Sequence, residues 1–78
     1  MKSKIELIKE INKLLKKEII NHKKMDLTKL EIWDSLIYLD LVSTIEHFTK
    51  KKLTATQIQK ITHNQNLIKV INLLYEKK

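Results

Sequence analysis

Trp33-Asp34-Ser35-Leu36 is the segment whose residue types could carry chemistry. Ser35 stands where a polar loop gives way to an apolar-periodic stretch running to Phe48, and an acid immediately precedes it. Such a stretch reads as a helix. A helix N-terminus has unpaired backbone N–H groups and the positive end of the macrodipole, so it favours negative charge. A phosphate ester on Ser35 would sit in that favourable field. Asp34 and Ser35 are also among the best N-cap residues, and plain capping is the competing reading.

Other catalytic arrangements are poorly supplied. His22, His47 and His63 are far apart, and none belongs to an H-E-x-x-H or i, i+4 pair, so the surface is their expected place. Asp40 and Glu46 are six residues apart, a spacing that does not stack two side chains on one helix face. They make a weak acid/base pair. Ser35 has no histidine or lysine base set beside it by sequence. Glycine is absent, which removes a phosphate-cradling loop, and cysteine is absent, which removes thiolate zinc sites and thiol nucleophiles. The expectation is a non-catalytic protein without a metal site.

Charge narrows the partners. The net charge is +7, and every basic residue is lysine. Basic small domains often bind nucleic acid or anionic membrane. Base readout leans on arginine's bidentate fork, however, and the heavy joint use of Lys, Ile and Asn looks like a genome-wide AT bias. The charge is also unevenly spread. Residues 1–24 hold eight lysines against three acids, and residues 50–78 seven against one. Residues 25–49 hold Lys29 alone against Asp26, Glu31, Asp34, Asp40 and Glu46. Ser35 lies in an acidic island.

These residues need elements to position them. The 78 residues suffice for one small domain, 1–78, with a core barely large enough at this size. Ser3 with Glu6 reads as a capping box opening a first helix, with Ile5, Ile8, Ile11, Leu15 and Ile19 at helical spacing. Asn21, His22 and Lys23-Lys24 end that pattern. Residues 21–34 form a loop with apolar anchors at Met25, Leu27, Leu30, Ile32 and Trp33.

A second helix from about Ser35 to Thr49 places Leu36, Leu39, Val42 and Ile45 on one stripe, extended by Phe48. Lys50-Lys51-Lys52 suit its negative end as a solvated turn. Thr54 with Gln57 opens a short third helix through Ile58 and Ile61, broken by Thr62 to Asn64. A last helix carries Leu67, Ile68, Ile71 and Leu74 to a frayed Lys77-Lys78 end. Without glycine or proline, Asn21, Asn64 and Asn66 are the expected turn residues. The fold class is all-α, a small bundle of three longer helices and one short one. No apolar run is long enough for a membrane span, and no signal peptide is expected. Missing cysteine fits a reducing cytoplasm.

Residues 33–71 resemble an acyl carrier protein, the helical domain modified on the serine of a D-S-L motif by 4′-phosphopantetheine. The motif stands here as Asp34-Ser35-Leu36. Leu39-Asp40-Leu41-Val42 and Ile45-Glu46 follow the family's second-helix pattern. Leu53, Ile58 and Ile61-Thr62 keep its register, and Gln65, Leu67, Ile68 and Ile71 fit its last helix. The first helix fits in length and periodicity only. Trp33 before the motif looks like carriers of dedicated biosynthetic clusters.

The resemblance implies a four-helix carrier whose Ser35 holds the covalent phosphopantetheine arm, with an acyl or aminoacyl cargo bound as a thioester. It implies that a phosphopantetheinyl transferase, an acyl- or aminoacyl-activating ligase and a downstream acyltransferase or synthase act on it. Asp34, Leu36, Asp40 and Glu46 match positions that such partners read, with Leu36 partly in the core. It further implies a monomer, and with the all-lysine charge and missing cysteine the expectation is a cytoplasmic protein that binds no nucleic acid.

The chain departs from the family in its basic overall charge. Phe48 falls one residue early, Thr49 takes the usual aromatic place, and His47 and Lys50 to Lys52 stand where acids are common. These departures favour a dedicated set of partners. Leu39, Val42, Ile45 and Ile61 could line an acyl pocket, with ordinary core packing as the alternative. Two other functions remain open on the residues alone. One is a basic helical module for nucleic acid or anionic membrane, acting through the first helix; the other is a plain protein-docking domain whose Asp34-Ser35 only caps.

Overall fold

Side chains that satisfy the first free N–H groups decide where three of the helices begin. In a computed structural model, which describes residues 2–21 and 23–76, α1 spans Lys4–Leu15 and opens on a complete capping box. The Ser3 hydroxyl accepts from the Glu6 N–H at 3.2 Å, and the Glu6 carboxylate accepts from the Ser3 N–H at 3.1 Å. A short 3-10 turn follows at Leu27–Lys29. Helix α2 spans Ser35–Thr49. Helix α3, Ala55–Lys60, opens on the second box, with Thr54 accepting from the Gln57 N–H at 3.1 Å and Gln57 returning the bond at 2.9 Å. Helix α4 spans Asn64–Tyr75, and its N-cap His63 makes no capping bond through its side chain. His22 and the Lys77-Lys78 end, assigned above to a turn and a frayed terminus, lie outside the described residues.

The Ser3–Glu6 box carries a pH signature. The backbone N–H of Ser3 and then its hydroxyl hold the Glu6 carboxyl below its ordinary range. A carboxyl with a lower pKa folded than unfolded adds stability above its unfolded pKa, and the gain is lost as pH falls through the folded pKa. Glu6→Gln should therefore lose stability against wild type at pH 7 and little or none at pH 2 to 3. Urea midpoints at the two pH values check this. A gap that persists in acid would assign the effect to the amide rather than the charge.

The left-handed positions are not where the sequence placed them. Lys16 (φ 53°) ends α1 and Lys50 (φ 59°) ends α2, each with its N–H returned to the helix. Neither is an asparagine. Helix α1 stops a turn earlier than its periodicity suggested because Asn12 competes for the chain. Its backbone carbonyl accepts from Lys16 and Lys17, and its side chain accepts from Ile19 N–H at 2.9 Å and donates to Glu18 at 2.8 Å. Ile19 is thereby buried from an extended segment rather than from a helix.

The core is one cluster that includes Leu7, Ile11 and Leu15 of α1, Leu41 and Ile45 of α2, and Leu67, Ile71 and Leu74 of α4. Helix α1 packs on α2, and α4 touches α1, α2 and α3. The α1 stripe runs through Leu7 rather than Ile5, which is 66% exposed. On α2 the correction is larger. Leu36 and Leu39, expected in the core stripe, are 69% and 60% exposed, while Leu41, Ile45 and Thr49 are buried. Steps of three residues drift about 60° each on a helix of 100° per residue, so Leu36 and Ile45 fall about 180° apart. They cannot share a face.

Asn64 is buried rather than exposed in a turn. Its Oδ1 accepts from Met25 N–H at 2.7 Å, and its Nδ2 donates to the carbonyls of Ile19 and Lys23 at 3.0 and 3.1 Å. Asn66 lies within α4. Leu27 N–H donates to Thr62 at 2.8 Å, and Asp26 pairs with His63 in an isolated antiparallel bridge, the nearest thing to a strand among the described residues. Among the described residues the result is an all-α bundle of four helices whose long loop is stitched to the start of α4. No helix among the described residues is long and apolar enough to cross a membrane.

Candidate functional site

The loop into α2 is held by an aromatic pair. Trp33 is half-buried, donates its N–H to Leu30 at 3.0 Å, and rests 5.5 Å from the Tyr38 ring. Tyr38 in turn donates its hydroxyl to the Ile58 carbonyl at 2.6 Å. That bond ties the first turn of α2 to α3, a helix too short to stand without such support.

On this frame Asp34 is extended (φ −154°, ψ −176°) and is the N-cap. Its Oδ1 accepts from the Ile37 N–H at 2.8 Å. Ser35 is the first helical residue, it is exposed, and no hydrogen bond within the described residues engages its hydroxyl. The two residues that compete for the cap in sequence are thus separated in space: Asp34 has the cap, and Ser35 presents a free hydroxyl. Asp34→Ala should cost about 1 kcal/mol, and Asp34→Asn should restore most of it because asparagine caps equally well. Urea denaturation of the two variants checks this. Equal loss in both would assign the effect to the charge at the helix dipole instead.

Leu36 and Asp40 follow on one exposed face, with the exposed Leu39 beside them. Leu36, expected to be partly core, stands in solvent. Glu46 is placed elsewhere on the helix and is engaged. Its Oε2 accepts from Leu53 N–H at 2.8 Å, and its Oε1 lies 3.8 Å from Lys52 Nζ. The structure therefore groups Asp34, Ser35, Leu36 and Asp40, and gives Glu46 a part in holding the loop after α2.

At the far end of α2, Thr49 is buried in the position where an aromatic ring was of interest. Its hydroxyl donates to the Ile45 carbonyl at 2.8 Å. Phe48 is half-buried beneath Lys2, whose Nζ is 5.1 Å from the ring centroid. Lys51 is committed to the fold, donating to the Leu74 carbonyl at 2.7 Å. His47, Lys50 and Lys52 remain exposed. Reading these lysines as one solvated turn missed that division of labour; the 100° periodicity applied from Leu36 onward would have placed His47 and Lys50 on the same face as Leu36 and Asp40.

Leu39, Val42, Ile45 and Ile61 differ in exposure. Leu39 points to solvent, Val42 is half-buried, and Ile45 and Ile61 are core residues. His63 lies 3.3 Å through Nδ1 from the Thr62 hydroxyl, and His47 packs edge-on to Phe48. Among the described residues no group of three or more His, Asp or Glu side chains could hold a metal ion.

No family model matches the chain, and no curated protein or solved structure matches it.

Proposed function

We propose that the protein is an acyl carrier, modified on Ser35 with 4′-phosphopantetheine and serving a lipid or specialised biosynthetic pathway. The observation that carries this reading is the pairing of the Asp34-Ser35-Leu36 motif with an exposed, unengaged Ser35 hydroxyl at the start of α2. The residues fit the group. The hydroxyl is accessible, Asp34 already fills the capping role, and a phosphodiester at this point meets the positive end of a helix of 15 residues.

When bound, the arm supplies a terminal thiol that carries an acyl or aminoacyl group as a thioester. The chain's own part is attachment, presentation and recognition. The Ser35 oxygen displaces adenosine 3′,5′-bisphosphate from the pantetheine-side phosphorus of coenzyme A. A new serine O–P bond forms, the P–O bond within the diphosphate breaks, and the serine proton passes to a base of the transferase. Asp34, Leu36 and Asp40 surround the acceptor, and Glu46 adds charge further along α2. A transferase, an activating ligase and a downstream acyltransferase or synthase are the partners this role requires.

Co-expression with a broad-specificity phosphopantetheinyl transferase tests the proposal by intact mass. Wild type should gain one phosphopantetheine and Ser35→Ala none. An unmodified wild type, with the transferase active on a control carrier, overturns it. Salt-sensitive binding to nucleic acid that ignores Ser35→Ala would favour a basic binding module instead.

A further inference from the structure

The outward face of α2 changes sign along its length. Leu36, Leu39, Asp40, Ser43 and His47 are exposed, and with Lys50 just beyond the helix they fall within an arc of roughly 100° at 3.6 residues per turn. Among the described residues these side chains stay exposed, and the buried residues of α2, Leu41 and Ile45, lie on the opposite side in the cluster shared with α1 and α4. The half next to Ser35 offers two exposed leucines and the Asp40 carboxylate. The other half offers His47 and Lys50, with Lys52 alongside at 92% side-chain exposure. Lys52 makes one long ion pair and is otherwise in solvent. Its nearest carboxylate, on Glu46, is 3.8 Å away, and the other oxygen of that carboxylate is taken by Leu53 N–H.

We propose that the enzyme that modifies Ser35 docks lengthwise on this face and meets the His47, Lys50 and Lys52 end with a cluster of carboxylates. The inference rests on the carrier reading and adds a partner chemistry to it. The transferase is the occupant because it forms a bond to the Ser35 oxygen itself, so its surface must touch the start of α2. An ordinary interface of about 800 Å² per partner is roughly 30 Å across, whereas Ser35 to Lys50 spans about 22 Å. The exposed leucines draw that footprint along the helix, since apolar contact area is what a docking surface buries at its centre. A footprint laid that way covers the lysines. A cationic partner surface there would repel them and a neutral one would cost desolvation, whereas carboxylates would speed encounter and fix the direction of docking.

The test uses the full chain and the phosphopantetheinyl transferase of the organism that encodes it. Transfer is followed by intact mass for wild type, for Lys50→Gln/Lys52→Gln, and for Lys9→Gln/Lys13→Gln, which removes the same charge from α1. The α2 pair should lose about tenfold in kcat/KM at low salt with kcat little changed, and the gap should close as salt screens the contact. The α1 pair should stay within about twofold. Lys50→Glu alone, which leaves the Lys52–Glu46 contact in place, should fall at least as far as single Lys50→Gln measured beside it. Equal rates for the two pairs, or faster transfer to the α2 pair, overturn the inference while leaving the carrier reading intact. Equal rates combined with loss of binding to anionic vesicles or duplex DNA overturn it in favour of another occupant. A wild type that no transferase modifies overturns both.

Discussion

Ser35→Ala is expected to abolish phosphopantetheine attachment completely while leaving the fold as stable as wild type. Attachment fails because the Oγ atom that forms the phosphodiester is gone, and the other hydroxyl in the first turn of α2, the Tyr38 phenol, is donated to the Ile58 carbonyl. Stability holds for three reasons. The side chain is exposed, its hydroxyl makes no hydrogen bond within the described residues, and the cap belongs to Asp34. Alanine is the better helix former by about 0.5 kcal/mol, so any change should be small and of either sign. Urea denaturation and intact mass on the same samples check both halves. A Ser35→Ala protein that unfolds more readily by 1 kcal/mol or more would return the serine to a structural role. Modification that survives the substitution would place the acceptor elsewhere.

The second large effect belongs to Asn64. Removing its amide strands the Met25 N–H and the Ile19 and Lys23 carbonyls, groups that hold residues 19–25 against α4. A buried polar group left without its partner costs about 1–3 kcal/mol, and the lost side-chain volume adds to it. Asn64→Ala should therefore cost about 3 kcal/mol, a large share of the stability of a domain this small. Asn64→Asp should be nearly as damaging, because the two donated bonds are lost and a charge is buried. Asn66→Ala, only two residues on and in the same helix, should stay within about 0.5 kcal/mol. Urea midpoints distinguish them. Equal losses at the two asparagines would mean that the buried network contributes nothing beyond helix propensity.

The Asn64 comparison shows why part of this fold was legible and part was not. Both capping boxes could be seen in the sequence because Ser3–Glu6 and Thr54–Gln57 are three residues apart and interact within one turn. The short α3 followed from its box, whereas α4 begins at Asn64, inside the stretch read as a break, with no side-chain cap at His63 to mark it. Asn64, Asn21 and Asn66 look alike in sequence, and only one of them is enclosed by a loop from forty residues away. Helix α1 ended early through an Asn12 side chain reaching forward to Ile19, a contact that periodicity does not register. The α2 stripe was a different kind of miss. Its angles were available from numbering alone, and stepping by threes without resetting the phase turned an exposed face into an expected core.

Local residue identity determined where this chain starts three of its helices, which serine follows an acid at the head of α2, and how charge is divided along its length. Those properties depend on neighbours within a turn, so the order of residues suffices. Tertiary packing decided what each side chain is free to do. It left the Ser35 hydroxyl unengaged, tied Lys51 to α4 while leaving Lys50 and Lys52 outward, and enclosed Asn64. The physical reason is that freedom and burial depend on which distant groups come within hydrogen-bond reach, and only the closed bundle sets those distances.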